Sequence, residues 1–109
     1  MQMTSFLQDK QLTIALSGEI DHHGARSTLR NIADKIDQYM PKLCILDFKG
    51  ITFMDSSGIA VVIHTLRRMN ELGGRLKLKN VSQQPMKVLT AAGVDRIVET
   101  EGRQLSYEV

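Results

Sequence analysis

Two short stretches hold most of the side chains that could do chemistry. Glu19, Asp21, His22 and His23 crowd into the segment GEIDHHG, and Asp55, Ser56, Ser57 and Gly58 follow one another further along. Imidazoles beside carboxylates are the raw material of a metal site, but this single cluster has no second set of ligands spaced to complete a coordination shell. No metal is therefore expected. Ser56 or Ser57 paired with one of the histidines would make a serine hydrolase. Against it, the nucleophile elbow G-x-S-x-G is missing, and an aspartate directly before Ser56 opposes deprotonation of the hydroxyl. A receiver-type phosphoacceptor is excluded too, because Asp47 lies inside the run LCILDF and the required acidic pair after the first strand is missing. The plainest role for Asp55-Ser56-Ser57 is to cap a helix, since Asp and Ser side chains accept the free N–H groups of a first turn. Capping leaves doubled hydroxyls beside an acidic loop without a use. A third group, Arg67, Arg68, Arg75, Lys77, Lys79 and Lys87, is opposed locally only by Glu71 and raises a nucleic-acid surface. Stacking aromatics are absent from it, and a solvated face with lysines guarding a strand edge explains it better.

The elements that must position these residues follow from periodicity. Thr4–Gln8 and the alternating Leu12, Ile14 and Leu16 read as two strands joined by a turn at Asp9 and Lys10, an N-terminal hairpin. Ala25, Leu29, Ile32, Ala33 and Ile36 recur at helical spacing, so a helix starts near His23 and stops before Pro41. Leu43–Phe48 is a nearly continuous apolar run, expected as a parallel central strand covered on both faces. A second helix starts near Asp55, carries Ile59, Val62, Ile63, Leu66 and Met69 inward, and stops at Gly73 and Gly74. Arg75–Lys79 alternates as a one-faced strand, Pro85 opens a short third helix closed by Gly93, and Ile97 and Val98 form a last strand. The stretch beyond Thr100 is weakly patterned. Strands alternating with helices give an α/β domain with a mixed sheet and amphipathic helices. In such sheets functional groups gather at the carboxyl ends of the strands, which is where the GEIDHHG loop and the Gly50–Ser57 loop both leave.

At 109 residues the chain is expected to be one domain, and 42% hydrophobic residues with 24% charged exclude a disordered chain. Fourteen basic against twelve acidic residues leave a net charge of +2, too little to argue for nucleic acid or anionic lipid. The lone Cys44 stands between Leu43 and Ile45, a small hydrophobe suited to a reducing cytoplasm. The start of the chain lacks the pattern of a signal peptide, and the apolar run Ile59–Ile63 is too short to span a bilayer.

In order and spacing, GEIDHHGA, LDFKGITFMDSSGIAVV, LGGRLKLKNV and AAGVDRIV resemble the bacterial anti-sigma factor antagonists of the STAS family, over about Leu12 to Val98. The double histidine resembles the sporulation branch. This resemblance implies a single STAS domain over residues 1–109 that is not an enzyme, needs no cofactor and works in the cytoplasm. It implies Ser56, the serine directly after the aspartate of D-S-[ST]-G, as a regulatory phosphoacceptor, with Ser57 not modified. Asp21, His22, Asp55, Ser56, Ser57 and Gly58 would form the partner-facing surface. The implied partners are an anti-sigma factor with ATP-dependent serine kinase activity and a resetting serine phosphatase, without nucleic acid or membrane. Unphosphorylated, the chain would bind the anti-sigma factor and release the sporulation sigma factor; phosphorylated, it would be inactive. Family members usually end in a recognisable helix, which Thr100–Val109 does not match.

Overall fold

A computed structural model describes residues 1–101 of the chain. Its elements are β1 (Gln2–Gln8), β2 (Gln11–Ile20), α1 (Ala25–Tyr39), β3 (Leu43–Met54), α2 (Ser57–Glu71), β4 (Arg75–Lys79), α3 (Gln83–Ala91), a 3-10 turn (Val94–Arg96) and β5 (Glu99–Glu101). The five strands lie in sequence order, with β1 antiparallel to β2 and the other pairs parallel. Each parallel step is a helical crossover in the same direction along the sheet. Crossovers of one hand taken in one direction put their helices on one face.

Burial follows that arrangement. Leu12, Ile14, Leu16, Cys44, Leu46, Phe48, Leu76 and Leu78 point under the helices and meet Ile32 and Ile36 of α1 and Val61, Val62 and Met69 of α2. The intervening residues Thr13, Ala15, Leu43, Asp47 and Lys77 are only half-buried. The run Leu43–Phe48 is thus central, as expected, but helices cover it on one face only. Ile45, on the open face, is still only 7% exposed, with Thr13 and Lys77 beside it in register.

The hairpin turn holds as expected. Asp9 and Lys10 both take positive φ, at 52° and 66°, the two left-handed residues of a type I′ turn whose twist matches that of the strands. The two long strands depart from expectation. β2 continues through Gly18 to Ile20 and β3 continues through Gly50 to Met54, so the start of the first expected loop and most of the second are strand. Irregular register between Ala15 and Ser17 and between Gly18 and Glu19 makes this possible. Gly18 takes φ 100°, and at Gly50 a Cβ would stand 2.7 Å from the Ser17 Cβ and 2.9 Å from the Leu16 carbonyl. A bulge reads in sequence as a broken pattern, although the ladder resumes beyond it.

Three smaller differences have local causes. α1 begins at Ala25, because His22–Gly24 make the turn that feeds it. α3 begins at Gln83, with Pro85 inside the first turn where a missing N–H costs nothing. The last strand is Glu99–Glu101, since Ile97 and Val98 complete the 3-10 turn; Val98 is buried and Ile97 exposed. Beyond Glu101, the weakly patterned tail lies outside the described residues.

Candidate functional site

Parallel β2 and β3 end at the same sheet edge, and the Asp55 N–H donates to the Ile20 carbonyl at 3.0 Å. The two chemistry-bearing segments therefore meet, reduced to the tight turns Asp21–Gly24 and Asp55–Ser56. In the first, the Asp21 Oδ1 accepts from the N–H groups of His23 and Gly24, each at 3.1 Å, while its carbonyl accepts from Gly24 and Ala25. The Asp21 carboxylate shapes the entry to α1. His22 and His23 are exposed, their rings 4.1 Å apart and tilted by 36°.

In the second turn the Asp55 Oδ1 accepts from the Ser57 N–H at 2.8 Å. Ser56 already has helical dihedrals, φ −64° and ψ −16°, and its side chain makes no capping bond. Capping is thus done by Asp55, which leaves the Ser56 hydroxyl exposed at the N-terminal tip of α2. The bond from the Ser57 N–H is the main cause holding the Asp55 carboxyl below its usual range; the Ser57 hydroxyl, the His22 N–H and the His22 charge add to it, against partial burial. Ser57 is half-buried and Gly58 buried. A Cβ on Gly58 would run into the Met54 side chain, which is fully buried, so this glycine lets α2 close onto β3.

Residues that sequence reasoning did not single out complete the site. Gln84 of α3 donates through Nε2 to the Met54 carbonyl at 2.8 Å and accepts at Oε1 from the Met54 N–H at 2.9 Å. Its amide acts as one residue of a neighbouring strand where β4, paired only as far as Lys79, no longer reaches. That clamp holds the strand end carrying Asp55 and Ser56, and a surface-facing glutamine gives no sequence signal of it. Phe53 is 42% exposed two residues before Asp55, an aromatic whose position in the motif could have marked it. Beside Ser56 runs an open groove of about 520 Å³ lined by Ile59, Lys87, Val88, Ala91 and Ala92. Its walls come from two helices separated in sequence.

The basic cluster is opposed by more than the Glu71 visible in the sequence. Arg68 pairs with Asp37 at 2.6 Å and Glu71 at 3.1 Å, Arg75 with Glu99 at 2.9 Å, and Lys77 with Glu99 and Glu101 at 3.6 and 3.7 Å. Glu71 is the local partner already visible in the sequence, three residues on in α2; Asp37, Glu99 and Glu101 come from α1 and β5, too distant in the chain to be seen as opposing. Among the described residues, no three His, Cys, Asp or Glu side chains gather as metal ligands, and no helix is long and apolar enough to cross a membrane.

Comparison with known proteins places this geometry. An anti-sigma F factor antagonist of Lysinibacillus sphaericus is 34% identical over 83 residues, 76% of this chain and 71% of the relative. The solved structure of the anti-sigma factor antagonist SpoIIAA in its unphosphorylated form superposes with a TM-score of 0.78 at 28% identity, covering 91% of this chain and 87% of that one. The Bacillus cell fate determinant SpoIIAA in the phosphorylated form superposes with a TM-score of 0.70 at 28% identity, over 91% and 90% of the two chains. The STAS domain model matches residues 6–105, and with the mixed sheet, the helices on one face and the serine turn at the head of α2, the chain belongs to the STAS domain family.

Proposed function

We propose that this chain, as a single STAS domain over residues 1–109, is a phosphorylation-switched anti-sigma factor antagonist. The observation that carries the reading is Ser56: exposed at the tip of α2 and free of capping, beside the turn of Asp21 and His22. Unphosphorylated, the surface of Asp21, His22, Asp55, Ser56 and Ser57 binds an anti-sigma factor that is also an ATP-dependent serine kinase, and the sporulation sigma factor is released; Gly58, expected on that surface, is buried against Met54 and supports it from beneath. Phe53 and the groove beside Ser56 add apolar area to that surface. Ser56 Oγ then attacks the γ-phosphorus of ATP held by the partner. The new O–P bond forms as the bridging bond to the β-phosphate breaks, ADP leaves, and the hydroxyl proton passes to the partner or to water. A phosphate adds about 1.5 to 2 negative charges to the surface beside the carboxylates of Asp21 and Asp55, and a tight interface rejects it. The N-terminus of α2 favours the anion, so the domain keeps its fold while losing its partner. A serine phosphatase resets the switch in the cytoplasm.

The relatives in unphosphorylated and phosphorylated forms support this reading. A nucleic-acid module is disfavoured by the ion pairs that neutralise Arg68, Arg75 and Lys77. A hydrolase is disfavoured by Asp55, an anion held directly beside Ser56. The test is transcription in vitro with the cognate sigma factor and anti-sigma kinase. The unmodified chain and Ser56→Ala should restore transcription, Ser56→Asp should not, and mass spectrometry should find one phosphate on the wild type and Ser57→Ala and none on Ser56→Ala. An anti-sigma complex left undisturbed by the unmodified chain would end the proposal.

A further inference from the structure

We infer that β1 is a self-pairing edge, through which two copies of this chain join their sheets into one ten-stranded sheet about a two-fold axis at Ser5. β1 is an outer strand of seven residues, Gln-Met-Thr-Ser-Phe-Leu-Gln, without a charge or a proline, and it pairs with β2 in unbroken register. Natural edge strands are ordinarily blunted by lysine, proline, a bulge or shortness. This one has none of these, and Phe6 and Leu7 are 61% and 43% exposed on its two sides.

The register defines which backbone groups are free. Gln8 and Gln11 close the two-residue turn, and the Lys10 carbonyl accepts from Lys42 and Leu43 on the β3 side. Residues along a strand direct their N–H and C=O alternately to left and right. Gln8, Thr4 and Phe6 therefore bond to β2, while Met3, Ser5 and Leu7 direct theirs outward. An antiparallel copy centred on Ser5 sets Ser5 against Ser5, Met3 against Leu7 and Leu7 against Met3, three bonded pairs in which all outward groups find partners. A centre at any other residue of the strand leaves some of them over.

The side chains agree with that centre. Read from either end the strand is nearly the same: Gln2 opposes Gln8, Met3 opposes Leu7 and Thr4 opposes Phe6, so no charge meets a like charge and each exposed apolar side chain meets a partner. Leu7 of the second copy falls beside Met3, which lines a cavity of about 340 Å³ with Ser27, Thr28 and Asn31 of α1. A single strand pair is at the small end of interfaces, so the dimer is weak and concentration-dependent. Because the axis reverses strand direction, the two Ser56 surfaces lie at opposite ends of the joined sheet.

Sedimentation velocity across a concentration series tests the inference on the wild type, Ser5→Pro and Leu7→Lys. Ser5→Pro removes only an outward N–H, which an edge strand tolerates, and Leu7→Lys places a charge in the pairing seam. The expected result is a wild-type dimer whose dissociation constant rises about tenfold or more in both variants, with unchanged circular dichroism. Ser5→Cys should also cross-link to a dimer under mild oxidation, because opposed residues of a bonded pair stand about 5.5 Å apart, within disulfide range. A chain that is monomeric at all concentrations, a dimer untouched by both variants, or a Ser5→Cys protein that does not cross-link would overturn it.

Discussion

At the scale of single residues, the two aspartates flanking the site have structural as well as electrostatic duties. The Asp21 Oδ1 holds two N–H groups of its turn, and asparagine offers the same oxygen. Asp21→Asn should therefore leave stability within about 0.5 kcal/mol, whereas Asp21→Ala should lose about 1 kcal/mol in urea denaturation. Weakened anti-sigma binding by Asp21→Asn would then report the charge alone. Gln84→Ala strips both partners from the Met54 backbone and should cost about 1 to 3 kcal/mol by the same measurement. Unchanged stability would mean that water replaces the amide without loss. Cys44 is fully buried, and burial pushes its thiol up to about 12. At pH about 8 it should react with a thiol reagent only when the domain opens, so the labelling rate should follow the unfolding rate.

At the scale of elements, the junction of β2 and β3 decides where the site lies. Both strands must pass their irregularities and resume pairing before they can deliver Asp21 and Asp55 to one edge. Gly50 sits at that passage, where a Cβ meets the Ser17 Cβ and the Leu16–Ser17 backbone, none of which is the movable end of a side chain. Gly50→Ala should cost about 1 to 3 kcal/mol in thermal or urea denaturation and broaden the amide resonances of Ile20 to His23. If those resonances stay sharp and in place, the ladder absorbs a methyl there and its register is not what positions the turns. α2 is the other positioning element, since Gly58 lets its first turn sit on Met54.

For the molecule as a whole, acid is the informative variable. The Asp55 carboxyl is lowered first by the Ser57 N–H, and that of Glu99 first by the Arg75 guanidinium. A carboxyl depressed in the folded state contributes stability above its unfolded pKa and loses it as pH falls toward the folded value. Melting temperature should be flat down to about pH 5 and fall below it. Asp55→Asn should retain the cap and flatten part of that fall; a curve identical to wild type would show that Asp55 has no share in acid stability. Surface pairs such as Arg75 with Glu99 add little individually because water competes for both partners.

Periodicity and turn chemistry, local properties of the chain, determine much of this protein before it folds. The hairpin at Asp9 and Lys10, the central run Leu43–Phe48 and the end of α2 at Gly73 are all set by neighbours a few residues apart. The placement of Asp55-Ser56-Ser57 at a helix start was legible for the same reason. The buried face of α2, by contrast, is turned from the expected one, with Val61 and Thr65 inside beside Val62 and Met69 and with Ile59, Ile63 and Leu66 only half-buried. What needed the tertiary structure depends on groups distant in sequence. The bulged ladder that carries β2 and β3 past Gly18 and Gly50 requires the other strand to be present, because a lone strand cannot show where its pairing resumes. Gln84 reaches Met54 only after the β4 crossover has brought α3 back over the sheet. Asp37, Glu99 and Glu101 neutralise the basic cluster only once α1 and β5 are docked. Periodicity also made Leu43–Phe48 look covered twice, since an apolar run cannot record that successive crossovers in one direction place every helix on the same face.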